Sequence, residues 1–126
     1  MTHLVIAGKL HPSGLELLHN TDDITFDYIP DIDEKAYLEF LPKAEGLVIR
    51  TQSLTADDIA TALNLRVVSR HGVGYDTVDE HALKARKIPL AIVGDVNSQT
   101  VAEHAMMLLL AASRRLVKSA NAMRAG

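Results

Sequence analysis

Short β-rich runs alternate with helical patterns along the whole chain, and no other feature restricts its fold as strongly. The runs are HLVIAG (3–8), ITFDYI (24–29), GLVIR (46–50), RVVSR (66–70) and PLAIVG (89–94). Between them lie PSGLELLHN (12–20), DEKAYLEFL (33–41), TADDIATAL (55–63) and a segment from Thr77 to about Arg86, and a long helical pattern runs from Thr100 to about Met123. The boundaries have local causes. Pro12 sits in a first turn, where a missing N–H costs nothing. Thr55 with Asp58, Thr77 with Glu80 and Thr100 with Glu103 have the spacing of capping boxes. Pro42 closes the second helical pattern.

Strands separated by helices imply βαβ units and a parallel sheet. Right-handed crossovers then put helices on both faces. Strands three, four and five are nearly all apolar, as strands covered on both faces should be. The expected architecture is an α/β, flavodoxin-like doubly wound sheet of five parallel strands in the order 2-1-3-4-5, followed by a long C-terminal helix.

Size and composition agree with one packed domain. The chain has 126 residues, 48% of them hydrophobic, with a net charge of −3 and no cysteine. That excludes disorder, disulfides and thiolate zinc sites, and it leaves no basic excess for nucleic acid. The apolar runs at 4–7 and 105–112 are too short for a secretory signal or a membrane span. A cytoplasmic location is expected. Six histidines (3, 11, 19, 71, 81 and 104) show no metal-binding spacing, so no metal site is expected.

Open α/β sheets bind ligands beyond the carboxyl ends of their strands. Three loops occupy that edge: 50–53, 71–74 and 95–98. Arg50 and Arg70 offer fork-like cationic donors for carboxylate or phosphate. Gly72 and Gly74 allow backbone conformations that turn successive N–H groups toward one point, an anion nest. Asn97 adds an amide donor, and the helix beginning near Thr100 directs its positive end to the same edge. Taken alone, the glycines equally describe an ordinary turn. G-x-G-x-x-G is absent from the chain. The apolar run AMMLLLAA (105–112) covers most of its helix, more than one sheet can bury, so a second partner surface is expected.

RHGVGYDTVD (70–79) and KARKIPLAIVGDVNSQTVAEHAMMLLLAASRRL (84–116) resemble the D-isomer-specific 2-hydroxyacid dehydrogenases, and VIRTQSLTADDI (48–59) is also similar. The resemblance implies a substrate-binding, flavodoxin-like domain over residues 1–98. Residues 99–126 would form an interdomain helix leading to a Rossmann domain that binds NAD or NADP and is absent here. It further implies that Val73 and Gly74 present N–H groups to a substrate carboxylate. Arg50, with Arg70, would match positions that hold a phosphate or second anionic group. Val73, Asn97 and Thr100 would lie beside the cofactor. The family's catalytic Arg, Glu and His come later in its sequences, and His104 is not that histidine. No catalytic residue is therefore expected in this chain, and no tight cofactor binding by it alone. A small 2-hydroxy or 2-keto acid, the missing Rossmann domain and a second copy of the chain are the expected partners. A non-catalytic flavodoxin-like module that binds a small anion or a partner protein is the alternative.

Overall fold

The computed structural model describes residues 1–30 and 35–126. They form two compact units, Met1–Val93 and Gly94–Gly126. The first unit contains, in order, β1 (Thr2–Ala7), α1 (Pro12–His19), β2 (Ile24–Ile29), β3 (Gly46–Ile49), α2 (Ala56–Thr61), β4 (Val67–Arg70), α3 (Glu80–Ala85) and β5 (Leu90–Ile92). The five strands pair in parallel in the order β2-β1-β3-β4-β5, as expected.

Register decides which side chains share a face. Val5, Leu47, Val68 and Leu90 stand opposite one another across four strands, and Ala7, Ile49, Arg70 and Ile92 form the next row on that face. Val5, Leu47, Val68, Ala7 and Ile49 are buried there with Tyr37, Leu41, Leu54, Ile59, Leu83 and Ile88. This is the core, capped by α2 and α3. The predicted box at α2 forms in both directions: the Asp58 N–H donates to the Thr55 hydroxyl at 3.3 Å and the Thr55 N–H to the Asp58 carboxylate at 2.8 Å.

The opposite face is covered less completely than the apolar strands imply. On that face Val67 is 40% exposed, and Ala91 of edge strand β5 is exposed as well. The α1 segment contacts the β1–β2 end: the Leu10 N–H donates to the Tyr28 hydroxyl at 3.3 Å and the His19 ring tilts against Phe26 at 4.9 Å. At the other end of that unit's sheet, β5 is the edge among the described residues.

Two further expectations are corrected. Of the helix expected over 33–41, residues 33 and 34 lie outside the described residues, and 35–40 are successive turns leading into a short 3₁₀ segment, Leu41–Lys43. Their bonds span three residues: Leu38 N–H to Lys35 O (3.0 Å), Phe40 to Tyr37 (3.1 Å) and Leu41 to Leu38 (3.2 Å). Pro42 explains the tight winding. It has no N–H to give the Leu38 carbonyl, which accepts from Leu41 instead. At α3 the cap is Asp79, whose carboxylate accepts the Ala82 N–H at 2.9 Å. Thr77 is engaged elsewhere, with its hydroxyl donating to the Gln52 carbonyl at 3.3 Å.

At the β1–β2 edge, the Asp27 carboxylate accepts from Lys43 at 2.7 Å and meets His3 at 2.9 Å. The lysine bond, with a smaller contribution from His3, holds the Asp27 carboxyl below the usual carboxylate range, against the opposing effect of burial.

The second unit holds α4 (Ser98–Ser113) and α5 (Leu116–Ala125). The helix begins two residues before the predicted Thr100 cap, because Asn97 is the N-cap and the Ser98 hydroxyl donates to Asp95. Glu103 is engaged by Gln99 at 3.0 Å, one turn earlier, and does not reach back to cap. The helix also does not run unbroken to Met123. Arg115 adopts a left-handed φ of 48°, and the Ser113 hydroxyl donates back to the Leu110 carbonyl at 3.0 Å, competing with the helical ladder. Met106, Met107, Leu108, Leu109 and Leu110 are each more than half exposed. Among the described residues, no helix is long and apolar enough to cross a membrane.

Candidate functional site

The carboxyl ends of β1, β3 and β4 carry Gly8, Arg50 and the 71–74 loop. Gly8 sits where the chain leaves β1 in close packing. Its φ is 95°, and its N–H donates to the Ile29 carbonyl at 2.9 Å. A Cβ built there would lie 2.9 Å from the Arg50 Cβ and 3.0 Å from the Gln52 side-chain oxygen. Gln52 is the buried polar side chain of this edge, 3% exposed, and its oxygen accepts the Thr51 N–H at 3.1 Å.

The segment after β3 is joined to the segment that leads into α3. The Leu54 N–H donates to the Thr77 carbonyl at 2.8 Å, and the Asp79 N–H to the Leu54 carbonyl at 2.9 Å. With Thr77 on Gln52 and the Tyr37 hydroxyl on the Ser53 carbonyl at 2.6 Å, residues 52–54 are held from several sides. Backbone pinned in this way presents its neighbours in one arrangement, which a binding site requires.

The 71–74 loop starts as a continuation of β4: the His71 N–H donates to the Ile49 carbonyl at 2.8 Å. The Gly72 N–H turns back to the Arg70 carbonyl at 2.9 Å, and the Gly72 carbonyl accepts from Val93 at 3.2 Å. The next three amides, of Val73, Gly74 and Tyr75, donate to nothing among the described residues. Unspent main-chain donors in succession suit an anionic ligand.

The glycines do not serve the conformational role expected of them. Neither Gly72 nor Gly74 has a left-handed φ. A Cβ at Gly72 would meet the Arg70 guanidinium at 3.6 Å, and one at Gly74 the Asp76 carboxylate at 3.6 Å, both ordinary contacts. Nothing in the described chain demands glycine at either position. What a missing side chain leaves open is the approach of something from outside.

Arg70 lies under this loop. Its Nε–H donates to the Gly74 carbonyl at 2.9 Å, and its Nη1 is buried with no hydrogen-bond partner among the described residues. Burial, and next the charge of Arg50, hold the guanidinium below its ordinary value, while Asp76 pulls the other way. Two cations that repel each other at a sheet end create positive potential for an anion.

Of the residues singled out from sequence, Arg50, Arg70, Gly72, Val73 and Gly74 belong to this edge of the first unit. Asn97 and Thr100 belong to the second, Asn97 as an N-cap whose side chain makes no capping bond and Thr100 in the first turn of α4. Sequence reasoning passed over Gly8, Gln52 and the Tyr75 amide. A glycine directly after the first strand was the available signal for Gly8.

Residues 4–125 match the family described as D-isomer specific 2-hydroxyacid dehydrogenase, catalytic domain. The chain is 37% identical over 114 residues to a D-3-phosphoglycerate dehydrogenase of Mycobacterium bovis, covering 90% of this chain and 21% of that protein. It is 36% identical over 102 residues to glyoxylate/hydroxypyruvate reductase B of Yersinia pestis, covering 81% and 31%. Among solved structures, an NADPH-dependent glyoxylate/hydroxypyruvate reductase of Sinorhizobium meliloti in complex with citrate superposes with a TM-score of 0.78 at 27% identity, over 100% of this chain and 39% of that one. The chain thus spans less than a third of the length of these curated relatives. With the sheet order, the glycine loop and a match over nearly its whole length, the chain belongs to the D-isomer specific 2-hydroxyacid dehydrogenases.

Proposed function

We propose that this chain is the substrate-binding portion of an NAD(P)-dependent D-2-hydroxyacid dehydrogenase, with residues 1–98 as the substrate domain and 99–126 as the helical link to a dinucleotide-binding domain. The observation that carries this reading is the run of unspent amides beginning at Val73, set beside the charges of Arg50 and Arg70. The carboxylate of a small 2-hydroxy or 2-keto acid would accept from Val73 and Gly74, with Gly72 leaving room for its approach. Arg50 and Arg70 supply attraction. Holding the carboxylate fixes where C2 stands, a positioning contribution to rate. In the complete enzyme the acid would exchange a hydride at C2 with NAD or NADP. This chain has no G-x-G-x-x-G to hold the pyrophosphate, so its own part toward the cofactor would be small. Lack of cysteine is compatible with a reducing cytoplasm.

The test is titration of the ¹⁵N-labelled chain with pyruvate, glyoxylate and hydroxypyruvate. The Val73 and Gly74 amide resonances should move together, and Gly74→Val, whose side chain would keep a carboxylate from closing on the amides, should weaken the response about tenfold, comparable to losing one charge-assisted hydrogen bond, without lowering the unfolding midpoint. The same chain should not oxidise NADH with these acids. Static amide resonances, or measurable turnover, would contradict the reading.

The chain is also proposed to form a homodimer through its second unit. Met106, Met107 and Leu110 line an open, almost wholly apolar hollow of about 760 Å³ with Ala102, Ala111 and Leu116. So much exposed apolar surface in one helical unit is costly in water. Sedimentation at tens of micromolar should give twice the monomer mass, and Leu110→Glu should return it to monomer. A wild-type monomer at that concentration rules the dimer out.

A further inference from the structure

Arg70 does more at this edge than carry charge. Its Nε–H bonds the Gly74 carbonyl four residues ahead at 2.9 Å. The position a Gly72 Cβ would take lies 3.6 to 3.8 Å from Cζ, Nη1 and Nη2, so the guanidinium is packed beneath Gly72. On the other side of the loop, Val93 holds the Gly72 carbonyl at 3.2 Å. The two held carbonyls, Gly72 and Gly74, therefore bracket the unspent amides.

Peptide planarity turns these bonds into orientation. In a trans peptide, C=O and the following N–H point to opposite sides. Holding the Gly72 carbonyl aims the Val73 N–H away from Val93. Holding the Gly74 carbonyl aims the Tyr75 N–H away from the guanidinium. The Gly74 N–H lies between these two fixed planes.

We infer that Arg70 is a positioning residue, which orients the Val73–Tyr75 amides toward an anionic ligand through its bond to the Gly74 carbonyl, and that this bond, not its charge alone, is what binding needs. The inference rests on the substrate-binding reading above. Its local arrangement is poor for stability: Nη1 is buried without a hydrogen-bond partner among the described residues, and a second cation, Arg50, acts on the same group. A buried unpaired donor destabilises a fold. Local rules broken in this way are characteristic of functional positions.

Two variants separate the possibilities. Arg70→Lys keeps the charge and loses the planar fork, whereas Arg70→Met loses both and keeps an apolar stem of related length. In both, the Val73, Gly74 and Tyr75 amides should become mobile, with order parameters falling from about 0.85 to below about 0.6. Pyruvate binding, followed by amide titration, should weaken about tenfold in both, as for loss of a charge-assisted bond. The unfolding midpoint should stay unchanged or rise, most clearly in Arg70→Met, which a merely structural role would not produce. If Arg70→Lys keeps wild-type affinity and loop order, the charge suffices and the positioning role is overturned. If both variants lose stability along with binding, Arg70 is structural and the inference falls. A wild-type chain whose amides ignore every carboxylate overturns the binding reading itself, and the inference with it.

Discussion

Gly8→Ala should destabilise the chain by about 2–5 kcal/mol, the sum of roughly 1–2 for a left-handed non-glycine residue and roughly 1–3 for overpacking. The φ of 95° is one that alanine adopts only under strain, and the added carbon would stand 2.9 Å from the Arg50 Cβ. That atom is fixed to its backbone and cannot swing aside. The other obstacle, the Gln52 side chain, is 3% exposed and bonded to the Thr51 N–H, so it too has little freedom. Against a typical domain stability of about 5–15 kcal/mol, the loss is large enough to shift the thermal midpoint by on the order of 10 °C. Because Arg50 must move to admit the methyl group, carboxylate binding should weaken in the same variant. Urea unfolding read by far-UV circular dichroism checks the stability, and an unchanged midpoint would show that the β1 end can relax around a side chain.

Leu47→Ala should cost about 2–5 kcal/mol, the range for truncating a fully buried leucine where the cavity does not collapse. Leu47 is 1% exposed on β3, the middle strand, between Val5 and Val68 in register. Strand pairing on both sides keeps its backbone from closing over the void. Leu63→Ala is the matched control: the same atoms are removed from a residue 78% exposed, and the change should stay within about 0.5 kcal/mol. The gap between the two midpoints, at equal denaturant slope, measures what burial contributes at Leu47. Equal losses at the two positions would mean that the core is not where the register places it.

Where expectation and structure part, the cause is competition that only neighbouring residues reveal. The Thr55–Asp58 box needs nothing beyond three residues of chain, and it forms as the spacing predicts. Thr77–Glu80 has equally good spacing, but Thr77 is drawn to the Gln52 carbonyl, and Asp79 takes the cap. Thr100–Glu103 fails because Gln99 engages Glu103 and Ser98 has already closed the turn with Asp95. The helix expected to run to Met123 is interrupted at Arg115, a residue with no helix-breaking character of its own.

The site divides along the same line. That loops 50–53 and 71–74 lie at adjacent strand ends was legible, since it depends only on strand order and the direction of a parallel sheet. The conformational role expected of Gly72 and Gly74 was not legible correctly, because their φ values turn out to be ones any residue adopts.

Alternating period-2 and period-3.6 patterns, read with short connections and right-handed crossovers, were enough to determine the parallel sheet and its order, because each strand's apolar run already states how it must be covered. Only the tertiary structure decided which amides remain unspent, that Arg70 is tied to the Gly74 carbonyl, and that Gly8 and Gln52 brace the edge. The loop is fixed in part by a group delivered from a segment far away in sequence, the Val93 N–H donating to the Gly72 carbonyl, and no local pattern records that meeting.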